Sequence, residues 1–125
     1  MAEKHNNALW VGNRGEDIAV EYLSQQGVSI ISRNVRTPYG EIDIIGKDDE
    51  SLIFVEVKAR RNQSFGFPEE AVHARKQEHM INSAFSYLQE NFGEDVVWRI
   101  DVIAIKIALK DETHQIRWFK NAINN

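Results

Sequence analysis

Two short apolar runs that carry acids constrain this chain more than any other feature. Gly40-Glu41-Ile42-Asp43-Ile44-Ile45 and Phe54-Val55-Glu56-Val57-Lys58 place three carboxylates and one amine inside segments of strong β-propensity. Strands this apolar are buried on at least one face, and there an ionised group is costly unless it is paired or metal-bound. The polar stretch Gly46-Lys47-Asp48-Asp49-Glu50-Ser51 between them predicts an antiparallel hairpin. With Asp48 to Ser51 as the loop, Ile45 faces Phe54, Asp43 faces Glu56 and Glu41 faces Lys58. Side chains alternate along a strand, so Glu41 and Asp43 share one face, as do Glu56 and Lys58. Directly opposed Cβ atoms lie roughly 5 Å apart, and two full charges there repel by roughly 3 kcal/mol at an effective dielectric of about 20. Mg²⁺ reverses that sign, because a hard cation takes carboxylate oxygens, waters and a backbone carbonyl. A two-residue slip in register would leave the faces unchanged.

The remaining numbers bound the setting. A chain of 125 residues is expected to form one domain over 1–125, with residues 1–7 flexible. Hydrophobic content of 42% and charged content of 27% belong to an ordinary globular protein. Met1 to Asn7 is polar, so neither export nor membrane insertion is expected. There is no cysteine, which removes disulfides and thiolate metal sites and fits the cytoplasm. His5, His73, His79 and His114 have no zinc spacing. A net charge of −4 argues against binding nucleic acid by bulk charge. Local charge differs: Lys58, Arg60 and Arg61 follow the acidic strand, Arg75-Lys76 opens a later helix, and Arg33 and Arg36 lie upstream. Each cluster alone reads as a solvated surface; together around the acids they read as phosphate contacts.

Along the chain, Val11, Gly15, Ile18, Ala19, Tyr22 and Leu23 predict a helix from about Ala8 to Gln26, with Gly27 as its stop. A strand over Val28 to Asn34 ends before Thr37-Pro38-Tyr39-Gly40, and the hairpin follows. Asn62 to Pro68 reads as a loop. A second helix begins between Pro68 and Arg75, buries Met80, Ile81, Ala84, Phe85 and Leu88, and ends at Gly93. Val96 to Ile107 is a long strand and Gln115 to Phe119 another. The order α-β-β-β-α-β-β implies an α/β fold, a mixed sheet flanked by helices.

An acid on one hairpin strand and Glu-X-Lys on the next, in this order, resembles the PD-(D/E)XK, or restriction-endonuclease-like, superfamily. More closely the chain resembles the YraN family of uncharacterised bacterial predicted endonucleases, distantly similar to archaeal Holliday-junction resolvases. The resemblance spans nearly all of the chain. It runs through Gly15-Glu16, Ala19, Tyr22-Leu23, Arg33-Asn34, Gly40-Glu41-Ile42-Asp43, Phe54 to Lys58 with Arg60, Lys76, Ala84, Tyr87-Leu88 and Arg99-Ile100-Asp101-Val102. Glu-X-Lys alone is common; the ordered set is specific. Ile42 stands where the superfamily name has proline.

The resemblance implies a metal-dependent endonuclease that hydrolyses DNA, branched DNA in repair or recombination included, with Mg²⁺ or Mn²⁺ as cofactor. Asp43 and Glu56 would be the metal-binding carboxylates, the Val57 carbonyl a further ligand, and Lys58 the group that positions the attacking water. Glu16 would complete the metal shell. Arg36, Arg60, Arg61 and Lys76 are the candidate DNA contacts. By analogy with junction resolvases a homodimer is expected, and neither a small-molecule cofactor nor a membrane. The alternative is a nucleic-acid-binding module that keeps the fold without turnover. Asp101, mid-strand, reads as a structural acid bonded to a turn or to Arg99, and Trp98, Trp118, Phe119 and Phe65 as core residues or stacking surfaces.

Overall fold

A computed structural model of the chain describes residues 8–61, 74–93, 95–108 and 113–123. Helix α1 (Ala8–Gln25) leads into β1 (Ser29–Thr37), β2 (Gly40–Asp48) and β3 (Ser51–Arg61), then α2 (Ala74–Asn91), β4 (Trp98–Ala108) and β5 (Thr113–Ile123). The five strands form one mixed sheet in the order β1-β2-β3-β4-β5. Only β3 and β4 run parallel; the other neighbours are antiparallel. This is the α/β fold and the element order that the apolar patterning implies. The expected flexibility of residues 1–7, the Asn62–Pro68 loop, the exact start of the second helix and Phe65 lie outside the described residues. None of the described helices is long and apolar enough to cross a membrane.

The apolar pattern explains the layers. Val11, Ile18, Ala19 and Leu23 of α1 bury against Ile44, Ile53, Val55, Ile103 and Ile105 on one face of the sheet. Ala84 and Leu88 of α2 bury against Ile45, Phe54, Ile100 and Val102 on the other. The parallel pair is covered on both sides, which is why β3 and β4 read as near-continuous apolar runs. Helix α1 stops at Gly27, whose φ of +93° suits glycine. Its N–H donates to the Ser24 carbonyl at 3.1 Å and that of Val28 to the Leu23 carbonyl at 3.0 Å, closing the last turn.

Three boundaries differ from the sequence reading. Strand β1 continues past Asn34 to Thr37, with Asn34 at a φ of +54° inside it, up to the turn at Pro38-Tyr39, which falls within the expected break. The β2–β3 hairpin closes on Asp49-Glu50 alone, with Asp48 paired to Ser51 and Asp49 at φ +54°. Strand β5 extends over eleven residues rather than five, since its partner β4 offers a ladder of the same length.

Two packing features set the ends of the sheet. A Cβ on Gly15 would lie 2.4 Å from the Ala59 Cβ, so glycine lets α1 press directly onto β3 and brings its neighbour Glu16 against the sheet. Farther along, Asp101 is fully buried. Its carboxylate accepts from Arg99 Nε at 3.0 Å, Trp118 Nε1 at 2.9 Å and the Asn121 N–H at 2.8 Å. The β4–β5 register shifts between Ile100 and Val102, so the carboxylate fills the irregularity and ties β5 down. The structural role read for Asp101 therefore holds. Trp118 is engaged in this network, and Trp98 packs edge-on against Phe54 and Phe85.

Gly15→Ala is expected to destabilise the protein by about 1–3 kcal/mol through overpacking against Ala59, read by urea unfolding, whereas Gly12→Ala, with open space at its Cβ, should not destabilise it.

Candidate functional site

The acids gather where two strands separate. The β2–β3 ladder keeps the register expected from the sequence, Ile45 opposite Phe54, and its last pair is Ile44 with Val55. Beyond that pair β2 stays on β1 down to Gly40, while β3 stays on β4 through Arg61. Asp43, the next residue, reaches across the gap: its Oδ2 accepts the Val57 N–H at 2.9 Å. A side-chain carboxylate thus replaces a ladder acceptor. Strict alternation also fails here, because Ile42 packs on the α2 side and Ile44 on the α1 side. On the neighbouring strand Asn34 carries its positive φ between the residues paired with Ile44 and Ile42. The expected regular facing of Glu41 on Lys58 is therefore not made as a ladder pair, and Glu41 is exposed.

Glu56 lies beside Asp43 and is buried. Its Oε1 is 3.2 Å from Lys76 Nζ and 4.0 Å from Lys58 Nζ. The carboxylate of Asp43 is pushed up to about 7, first by burial, then by the Glu56 charge. The Val57 N–H pulls it back down, and Glu16 adds repulsion. Burial and the neighbouring Glu56 charge together disfavour the ionised form of Asp43, which therefore keeps its proton up to about pH 7.

Glu16 approaches from the opposite side, on α1. Arg33 of β1 clamps it, with Nε and Nη2 each 3.1 Å from Glu16 Oε1, while Nη2 also reaches Asp17 Oδ1 at 2.8 Å. Arg33 entered the sequence reading only as an upstream basic residue and within the family motif; its partner, on another element, has no local signal. Near Glu56, Ser83 of α2 is buried and lies 2.9 Å from Thr37 Oγ1, which donates to the Gly40 carbonyl at 2.8 Å. This lock on the β1–β2 turn also went unread.

The structure thus brings Asp43, Glu56, Lys58 and the Val57 backbone together and sets Glu16 at their margin. Lys76, read as a DNA-phosphate contact, a residue that reaches the site or a snorkelling lysine, pairs with Glu56. Arg60 and Arg61 stand exposed at the end of β3, the strand of Glu56, and Arg36 stands exposed on β1. A hollow of about 400 Å³ between Phe85, Leu88, Val96 and Trp98 opens at the other end of β4, away from the acids.

The donor chemistry can be tested against a cation. Among the described residues, no group of three or more His, Cys, Asp or Glu forms a ready-made metal cage. Mg²⁺ asks for one or two carboxylates, with water in the other positions. A half-buried and a buried hard oxygen donor, the first of which binds a proton up to about pH 7, fit that demand.

The pH dependence follows. Asp43 binds its proton more tightly folded than unfolded, so the unfolded chain releases it first as pH rises above about 4. Stability is therefore lost from about pH 4 until the folded carboxylate ionises near pH 7. Asp43→Asn, measured by denaturant titration without metal, should remove that loss and be more stable than the parent at pH 8, by on the order of 2–4 kcal/mol.

Comparison with known proteins fits this description. The model of the uncharacterised protein family UPF0102 matches residues 15–105, a span that holds Glu16, Asp43, Glu56, Lys58 and Lys76. A UPF0102 protein of Caldicellulosiruptor saccharolyticus is 40% identical over 93% of this chain and 98% of its own length. One from Syntrophotalea carbinolica is 49% identical over 78% of this chain and 80% of its own. One from Geobacter sulfurreducens is 42% identical over 94% of this chain and 91% of its own.

Proposed function

This chain belongs to the uncharacterised protein family UPF0102, the family that its ordered motifs resemble, and we propose that it is a metal-dependent endonuclease acting on DNA. The observation that carries the proposal is the half-buried Asp43 beside buried Glu56, with Asp43 pushed up to about 7 and two lysine ammonium groups directed at Glu56. A perturbed carboxylate beside a second acid and a fixed cation such as Lys58 suits phosphodiester hydrolysis.

Asp43 and Glu56 would hold Mg²⁺ or Mn²⁺, with the Val57 carbonyl as a further ligand and Glu16, steadied by Arg33, at the edge of the shell. The ion would supply Lewis acidity and lower the pKa of its water. Lys58, on the rigid strand two residues past Glu56, fixes a positive charge where the attacking water and the phosphate oxygens meet. The attacking water gives up one proton to solvent as its oxygen bonds to phosphorus and the ester P–O bond breaks, and the departing alkoxide takes one proton back from a solvent water. The Val57 N–H holds Asp43 in place throughout, because that bond uses only Oδ2. Arg36, Arg60 and Arg61 would carry the backbone of the substrate past the acids. A DNA substrate places the protein in the cytoplasm, and cutting both strands of a branched molecule calls for a homodimer.

With purified protein, Mg²⁺ and branched, nicked and single-stranded DNA, cleavage of at least one form is expected. Asp43→Asn and Glu56→Gln should lower the rate by about 10²–10³-fold or more, and Lys58→Met by a similar factor, with the fold intact by circular dichroism. Salt-dependent DNA binding with no cleavage under Mg²⁺ or Mn²⁺ would support a binding module without turnover.

A further inference from the structure

Charge balance around Glu56 reveals a device that the nuclease reading does not use. Asp43 and Glu56 bring two carboxylates, and Lys58 and Lys76 bring two ammonium groups. Glu16 has its own counter-charge in Arg33. In the metal-free protein two ammonium groups already face these acids, and a divalent cation added with both still in place would leave an excess of positive charge. One ammonium group must give way.

The two lysines are not equivalent. Lys58 sits on the central strand β3, its side chain 23% exposed, with Nζ 4.0 Å from Glu56 Oε1. Lys76 comes from α2, is 42% exposed, and lies closer, at 3.2 Å. Glu56 draws the Lys76 head inward, and its long, half-exposed stem can swing out at small cost.

We propose that Lys76 is a stand-in cation: its ammonium group neutralises Glu56 in the metal-free protein and is displaced from it when a divalent ion enters. This rests on the metal-dependent reading above. Released from Glu56, Lys76 becomes a free positive charge at the rim of the centre. The metal-free protein therefore keeps its buried carboxylate compensated, and it binds the ion more weakly than the bare acid pair would.

Calorimetric titration of Mn²⁺ into wild type, Lys76→Met and Lys76→Arg tests this, with thermal unfolding of each in EDTA and in saturating Mn²⁺. Lys76→Met should bind Mn²⁺ about tenfold more tightly than wild type, and Lys76→Arg about as wild type. In EDTA, Lys76→Met should melt below wild type because Glu56 has lost its counter-charge, and saturating Mn²⁺ should abolish that difference. A lysine that merely repels the ion from a distance would tighten binding on removal without lowering the EDTA melting temperature, and that outcome overturns the proposal. So does unchanged affinity in Lys76→Met while wild type binds Mn²⁺. Failure of wild type to bind Mn²⁺ at all would bring down the metal-dependent reading itself, a pattern distinct from the other two.

Discussion

The burial of Asp43 beside Glu56 is the costly interaction around which this end of the molecule is arranged. Everything nearby reduces its cost. Strands β2 and β3 part after Ile44 and Val55, so the two acids are not forced into direct cross-strand opposition. The Val57 N–H occupies one oxygen of Asp43, two lysines share one oxygen of Glu56, and Arg33 neutralises Glu16 before it reaches the pair. What remains is a carboxylate that takes up a proton near neutral pH. A fold selected for stability alone would replace such a pair with apolar residues of similar size, as buried ionic groups rarely improve stability over a well-packed core.

Asp101 shows the contrast within the same sheet. Both aspartates sit at a break in a strand ladder, and both accept a backbone N–H, from Val57 in one case and Asn121 in the other. Asp101 also meets the Arg99 guanidinium and the Trp118 indole, so its acceptors are filled by donors of this chain. Asp43 meets a second acid. A buried carboxylate saturated by its own protein is a structural fastener; one set against another carboxylate has capacity left for something from outside.

Much of this was legible in the sequence because it depends on period and turn chemistry. The alternation of Ile45, Phe54 and their neighbours, with a polar turn between, determines the hairpin register, and the acids follow at fixed offsets from it. The helices were equally legible from the spacing of Ile18, Ala19 and Leu23 and of Ala84 and Leu88. The parting of the strands was not. It accompanies a positive φ at Asn34, a conformation asparagine tolerates but does not demand. For Lys76 its nearness to the site was legible but its partner Glu56 was not, since that depends on how α2 lies across the sheet. So was the Gly15–Ala59 contact, where a residue read as part of a helical stripe proves to be the point of closest approach.

The account turns on whether the proton held by Asp43 marks a place for a metal ion. Mn²⁺ binding measured calorimetrically at pH 6.5, in two buffers of different ionisation enthalpy, reports the protons released on loading. Displacement of the Asp43 proton predicts release of up to about one proton per ion bound by wild type and none by Asp43→Asn. Binding without proton release, or no binding by the folded wild-type protein, would contradict it.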